Sequence, residues 1–297
     1  MYQIRRIFPL NSPDKTDWIK RICEWNNYTP KVTRTNQCVR IILAKKVTKS
    51  KFTPFHIVTL SCFIEAIKKK GYLIFLEVLN TELNEFIHND MSLTQYWREK
   101  KADHIDSPDS SRLNLWRVAE GKSEEYEISV HQYFSNKFPD IDFFMLKSCL
   151  TELYFNIFDH ANANGIAFSY IYYDEDDEII HIAICDFGRG ISKTMREAFP
   201  EISNDEEALL QAIKRGVTAR SNEHNAGFGL DNVISTLSNE STLRIASNKA
   251  ILICIKKEDL VETKTYNLSF NLKGTLIYFD LPISSFEKAE INDEYTF

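Results

Sequence analysis

Ile179-Ile180-His181-Ile182-Ala183-Ile184-Cys185-Asp186-Phe187-Gly188-Arg189-Gly190-Ile191 is an apolar, β-branched run that ends on an acid and two glycines. Ile179 to Cys185 reads as a strand. A carboxylate at its end, Asp186, can accept a hydrogen bond from an exocyclic amine such as that of adenine; guanine offers a 6-oxo acceptor there instead. Gly188 and Gly190 lack a Cβ and let the backbone approach a flat base. A plain strand followed by a tight turn would give the same letters, so the neighbouring segments decide the reading.

Upstream stands Glu152-Leu153-Tyr154-Phe155-Asn156-Ile157-Phe158-Asp159-His160-Ala161. Leu146, Leu150, Leu153 and Ile157 recur at helical spacing and predict a helix from roughly Asp142 to Ala161. Glu152, Asn156 and Asp159 fall at i, i+4 and i+7, one face that borders a cleft, with His160 at its edge. An amide oxygen such as that of Asn156 is a good ligand for Mg²⁺, and a carboxylate one turn earlier, Glu152, can deprotonate a water or hydroxyl. Downstream, Gly227-Phe228-Gly229-Leu230 opens a helix predicted over Leu230 to Leu237, whose backbone N–H groups can cradle phosphates. Each segment alone has an ordinary reading as a wet helix face or a turn.

Around these segments the pattern predicts strands at Ile166 to Tyr173, Leu243 to Ala246, Ala250 to Lys256 and Thr275 to Leu281, with a polar hairpin turn at Asp174 to Glu178. Residues 192–226 are polar with helical pieces. Helix, strand pair, polar insertion, helix and further strands predict a two-layer α+β sandwich.

Taken together the three motifs resemble the GHKL superfamily of ATPases: gyrase-type topoisomerases, heat-shock chaperones, sensor histidine kinases, mismatch-repair ATPases and anti-sigma serine kinases. The family's N box is matched by Glu152, Asn156, Asp159, His160 and Ala161, its G1 box by Asp186, Gly188 and Gly190 with Ile191 following, and its G2 box by Gly227, Phe228, Gly229 and Leu230. The resemblance implies the Bergerat fold over 126–283, with Mg²⁺ and ATP as ligands, Glu152 as base, Asn156 as metal ligand, and a mobile lid over 191–226. Within that lid, Thr218, Arg220 and Asn225 match the place where family members touch the γ-phosphate. Histidine kinases usually carry Asn at the first N-box position, and none of His88, His104 and His131 sits in a dimerisation pattern. The reading is therefore an ATPase, with an anti-sigma-type serine/threonine kinase and a non-hydrolysing ATP sensor as alternatives.

The N-terminal part reads differently. Residues 1–36 are polar and irregular with a helix around Lys15 to Asn26. Val39 to Leu43 reads as a strand, and Thr53-Pro54 opens a helix that Gly71 ends. Leu73 to Leu79 reads as a strand buried on both faces, and Thr81 to Asn89 as a short helix. The order predicts a small α/β unit over 37–100 that faintly resembles STAS-type regulatory domains, with Asn80-Thr81 where those carry a phosphoacceptor. The Asp-, Ser- and Gly-containing stretch 101–125 reads as a linker, and 284–297 as an acidic tail.

Bulk numbers bound the rest. The 297 residues, 43% hydrophobic and 12% aromatic, suffice for two cores. No apolar run approaches a membrane span, Met1 to Pro9 has no signal-peptide character, and six scattered cysteines without a CxxC pair read as thiols of a reducing cytoplasm. Residues 1–51 hold twelve Lys/Arg against three acids, whereas 151–297 hold thirteen against twenty-four. The basic half either faces the acidic one or meets an outside anion, and Trp18, Trp25 and Tyr28 among its bases make nucleic acid one such partner. A protein partner or a homodimer is the other expectation.

Overall fold

The computed structural model describes residues 3–29, 31–32, 37–97, 103–109, 112–160, 165–214, 230, 233–234, 237, 239, 241–258 and 260–289. Its centre is a five-stranded antiparallel sheet of order β4-β5-β6-β8-β7, formed by β4 (Trp116–Ala119), β5 (Ile166–Asp174), β6 (Ile179–Asp186), β7 (Thr242–Lys257) and β8 (Leu260–Pro282). Helices α4 (Ser123–Lys137), α5 (Phe144–Phe155), α6 (Ile191–Ala198) and α7 (Asp205–Ala212) join one face of that sheet in a common core. This is the expected α+β sandwich.

The other face is covered too. β1 (Gln3–Leu10), β2 (Gln37–Leu43) and β3 (Leu73–Val78) form a three-stranded parallel sheet in that order. Parallel neighbours need crossovers, supplied by α1 (Lys15–Tyr28) and α2 (Pro54–Lys69). Two right-handed crossovers in the order 1-2-3 place both helices on the same face. There they fill the space between the two sheets: Trp18, Ile22, Leu60 and Phe63 share one core with Phe168, Ala183, Cys185 and Leu276 of the larger sheet.

α2 is therefore buried on almost every side, from Pro54 through Glu65. Its N-terminus is set by Thr53 and His56, each side chain bonded to the other's end of the first turn, with Pro54 at the first helical position. Asp14 caps α1 by accepting from Thr16 N and Asp17 N.

Several sequence expectations need correction. Gln3–Leu10 is a strand, not irregular chain; Arg5, Arg6 and Pro9 hid its pattern. β3 is an edge strand with one open face, on which Phe75 (46% exposed) lies beside Arg40 and Ile7 (52% exposed). The stretch 101–125 is no free linker, because β4 pairs with β5 and Arg117 bonds Asp103 (3.0 Å) and Glu65 of α2 (3.6 Å). The expected acidic tail begins docked: Phe286 packs on Phe143, and Asp142 N donates to Glu287 O (2.9 Å). Trp18 is buried and donates to Thr59 Oγ1 (3.0 Å), and Trp25 packs edge-on against Phe8. Trp18 is thus unavailable for stacking on bases. All six cysteines are buried and free of disulfides. Among the described residues no helix is long and apolar enough to cross a membrane.

Candidate functional site

Asp186 is the last residue of β6 and lies opposite Thr275 of β8. Its carboxylate is fully buried. One oxygen accepts from Gly188 N (2.6 Å), the other from Thr275 N (3.0 Å). Burial pushes its pKa up to about 7, and the bonds from Gly188 and Thr275 counter only part of that shift. A carboxylate oxygen accepts more than one hydrogen bond, so both retain capacity for a ligand donor.

The loop after Asp186 is stitched to the neighbouring strands. Ile191 N donates to Thr275 Oγ1 (3.3 Å), Lys193 N to Asn248 Oδ1 (3.0 Å), and Asn248 Nδ2 to Arg189 O (3.2 Å). Gly190 has φ +86°, and a Cβ there would lie 2.5 Å from Ser247 Oγ and 2.6 Å from Gly274 O. Gly274, at φ +105°, would place a Cβ 2.1 Å from Asp186 O. The need for glycine at 190 thus comes from a left-handed backbone and from packing inside the protein, not from the approach of a base. Gly188 follows two residues after the acid and donates to it, as noted. Thr275, Ser247 and Asn248 were not foreseen; strand register alone brings them here.

Glu152 and Asn156 sit half-buried at the end of α5. The α-helix stops at Phe155 and continues as a π-helical turn, Asn156–His160. Of the face read for Glu152, Asn156 and Asp159, the side chains of Glu152 and Asn156 are described. Single π turns are frequent at functional sites. Asn156 Nδ2 donates to Glu152 O (2.8 Å), which leaves the amide oxygen as the group able to bind a cation. The turn packs against α6, so the expected metal ligand, Asn156, lies on an element adjoining the helix that Gly190 opens, with Glu152 one turn earlier on α5. Behind α5, Thr151 donates to the buried Glu127 carboxylate (2.6 Å) and fixes the helix against α4.

Part of the expected site falls outside the described residues: Thr218, Arg220, Asn225, Gly227, Phe228, Gly229 and the side chain of Asp159. Leu230 is buried in the helix-side core. The first part of the segment read as a lid is not loose. α6 and α7 bury Ile191, Met195, Ala208 and Leu209 in that same core, and Arg196 bonds Asp205 (3.0 Å) between the two helices. Among the described residues no group of three His, Cys, Asp or Glu is placed to hold a metal. A single amide donor suits a cation that keeps its waters and relies on a ligand's phosphates.

No known protein family's sequence pattern matches the chain, and no curated protein matches it. Among solved structures it is similar to the topoisomerase IV ATP-binding domain of Francisella tularensis, in complex with a small-molecule inhibitor, at 15% identity and TM-score 0.31, covering 60% of this chain and 45% of that one. It is also similar to the 43K ATPase domain of Thermus thermophilus gyrase B, in complex with an aminocoumarin, at 15% identity and TM-score 0.28, covering 52% and 38%. The chain spans less than half the length of either.

Proposed function

We propose that residues 126–283 form a GHKL-type ATP-binding unit that hydrolyses ATP with Mg²⁺. The observation that carries this is Asp186: a fully buried strand-end carboxylate held by two backbone amides, above a loop locked to β7 and β8. Ionised, it accepts the adenine amine; a guanine oxygen in the same place would be repelled. Gly188 and Ile191 would border the base, and Gly227, Phe228 and Gly229 would meet the phosphates together with Thr218 and Arg220. Asn156 offers its amide oxygen to Mg²⁺, which when bound neutralises phosphate charge. Glu152 would hold the attacking water and take its proton.

The lid switch is proposed for the residues between α7 and Leu230. The N-terminal unit is proposed as its regulatory partner. Its STAS-like character rests on the β–α–β order alone, since Asn80 is occupied in capping α3 (Thr81–Glu85), where it accepts from Leu83 N (2.9 Å). Contacts to a protein partner, or to a second copy, would use surfaces left open by this packing.

Phosphate release tests the proposal. The wild-type chain should release phosphate from ATP, and Glu152→Gln should keep ATP bound while slowing release by roughly 10²–10⁴-fold. Normal turnover in Glu152→Gln would remove Glu152 from the chemistry. Transfer of γ-label to protein would select the serine/threonine kinase, and tight binding without either product the sensor.

A further inference from the structure

A cleft of about 570 Å³ opens on the opposite face of the five-stranded sheet, at its seam with the N-terminal unit. That volume falls in the range of small-molecule sites, which form preferentially at such seams. Its floor is buried and largely aromatic: Phe55, Ile57 and Phe86 from the N-terminal unit, Tyr170 from β5. Tyr278 and the parallel rings of Tyr172 and His181 add to its walls.

The charged groups at its rim are not equivalent. Asp280 is engaged by His181 Nδ1 (2.6 Å), Arg112 by Asp109 (3.2 Å), and Asp174 accepts from Asp176 N (3.1 Å). Lys15 and Lys49 have no carboxylate within ion-pair distance among the described residues. Their ammonium groups lean over rings instead. Lys15 Nζ lies 4.9 Å from the Tyr278 centroid and 5.7 Å from that of Phe55, and Lys49 Nζ 5.4 Å from that of Phe86. Loss of water lowers the Lys15 pKa; Asp280 offsets part of this and Arg244 adds repulsion. The first turn of the 16-residue α2, Thr53 to Phe55, lines the same space and turns the positive end of the helix towards it. The one remaining carboxylate, Glu82, is exposed at the rim. An apolar aromatic floor under two ammonium groups with no carboxylate at ion-pair distance among the described residues is completed by a ring bearing negative charge.

We propose that this cleft binds a small planar aromatic anion, its ring against Phe55, Phe86 and Tyr170 and its carboxylate or phosphate met by Lys15 and Lys49. The site is distinct from the nucleotide pocket, because none of its lining residues is among those proposed to hold ATP.

Calorimetric titration of the full chain with naphthalene-2-carboxylate, indole-3-acetate and phenyl phosphate tests the proposal, with naphthalene-2-methanol and inorganic phosphate as the uncharged and ringless controls. At least one aromatic anion should bind more tightly than about 1 mM, and both controls should bind at least roughly tenfold more weakly. Lys15→Ala with Lys49→Ala should lose at least about tenfold in affinity, whereas Lys15→Arg with Lys49→Arg should retain binding. Thermal unfolding at the wild-type temperature would show both double variants to be folded. Asp186→Asn should bind the aromatic anion like the wild type. No binding by any of the three anions at about 1 mM would overturn the proposal. So would undiminished binding by the folded alanine variant, equal binding of the uncharged ring, or loss of binding in Asp186→Asn.

Discussion

The two faces of β6 bury different kinds of side chain. Ile180, Ile182 and Ile184 point into the core beneath α4–α7, whereas Ala183 and Cys185 point towards α2. On the first face large branched residues fill a gap between sheet and helices. On the second, small residues let a helix come close enough for Cys62 Sγ to donate to the Cys185 carbonyl (3.0 Å), one residue before Asp186. An antiparallel sheet usually leaves one face to water; here both are packed against other elements, and the N-terminal unit acts as the second cover of the sheet that carries the candidate site.

Removing that cover should have the largest effect. A chain lacking residues 1–97 would expose Phe168, Tyr170, Cys185 and Leu276 at once. Thermal scans should find no cooperative transition; a soluble monomer melting near the full-length temperature would show that the contact is incidental. Next comes Ile184→Ala, which empties volume on the helix face and should cost about 2–5 kcal/mol in urea titration. Ala183→Leu, on the α2 face, should cost about 1–3 kcal/mol by overpacking. If Ala183→Leu proves neutral, α2 does not pack as closely as the side chains imply.

A different kind of effect is a pH slope. Asp186 has a folded-state pKa of about 7, above the ordinary carboxylate value. The folded protein therefore binds this proton more tightly than the unfolded chain does. The stabilising contribution is complete below the unfolded value and is lost as pH rises through about 7. Nucleotide-free wild type should lose thermal stability between about pH 5 and 8 relative to Asp186→Asn. Parallel profiles for the two proteins would mean that burial does not shift this group.

Local pattern was legible where it was locally determined. Thr53-Pro54 and Gly71 bound α2, and the apolar run 179–185 is β6. What the chain's own letters could not carry was partnership. The sequence marked α2 by its two ends, but not that it is buried on nearly every side between two sheets. β3 read as central because Leu73 to Leu79 is apolar, yet it lies at an edge. β4 was hidden among Asp, Ser and Pro. The arm of β8 before Gly274 was missed because its outward residues are polar, from Glu262 and Lys264 to Asn271. At the site, Asp186 and its glycines stood out, whereas Thr275, Ser247 and Asn248 reach the same loop from strands sixty to ninety residues away.

Isothermal titration of ATP into wild type and Asp186→Asn tests the central claim most directly. The wild type should bind ATP and discriminate against GTP. Asp186→Asn, shown to be folded by its melting transition, should bind ATP about ten- to a hundred-fold more weakly, the range for a charge-assisted hydrogen bond. Equal ATP affinity in the two folded proteins would contradict the assignment of Asp186 to the adenine pocket.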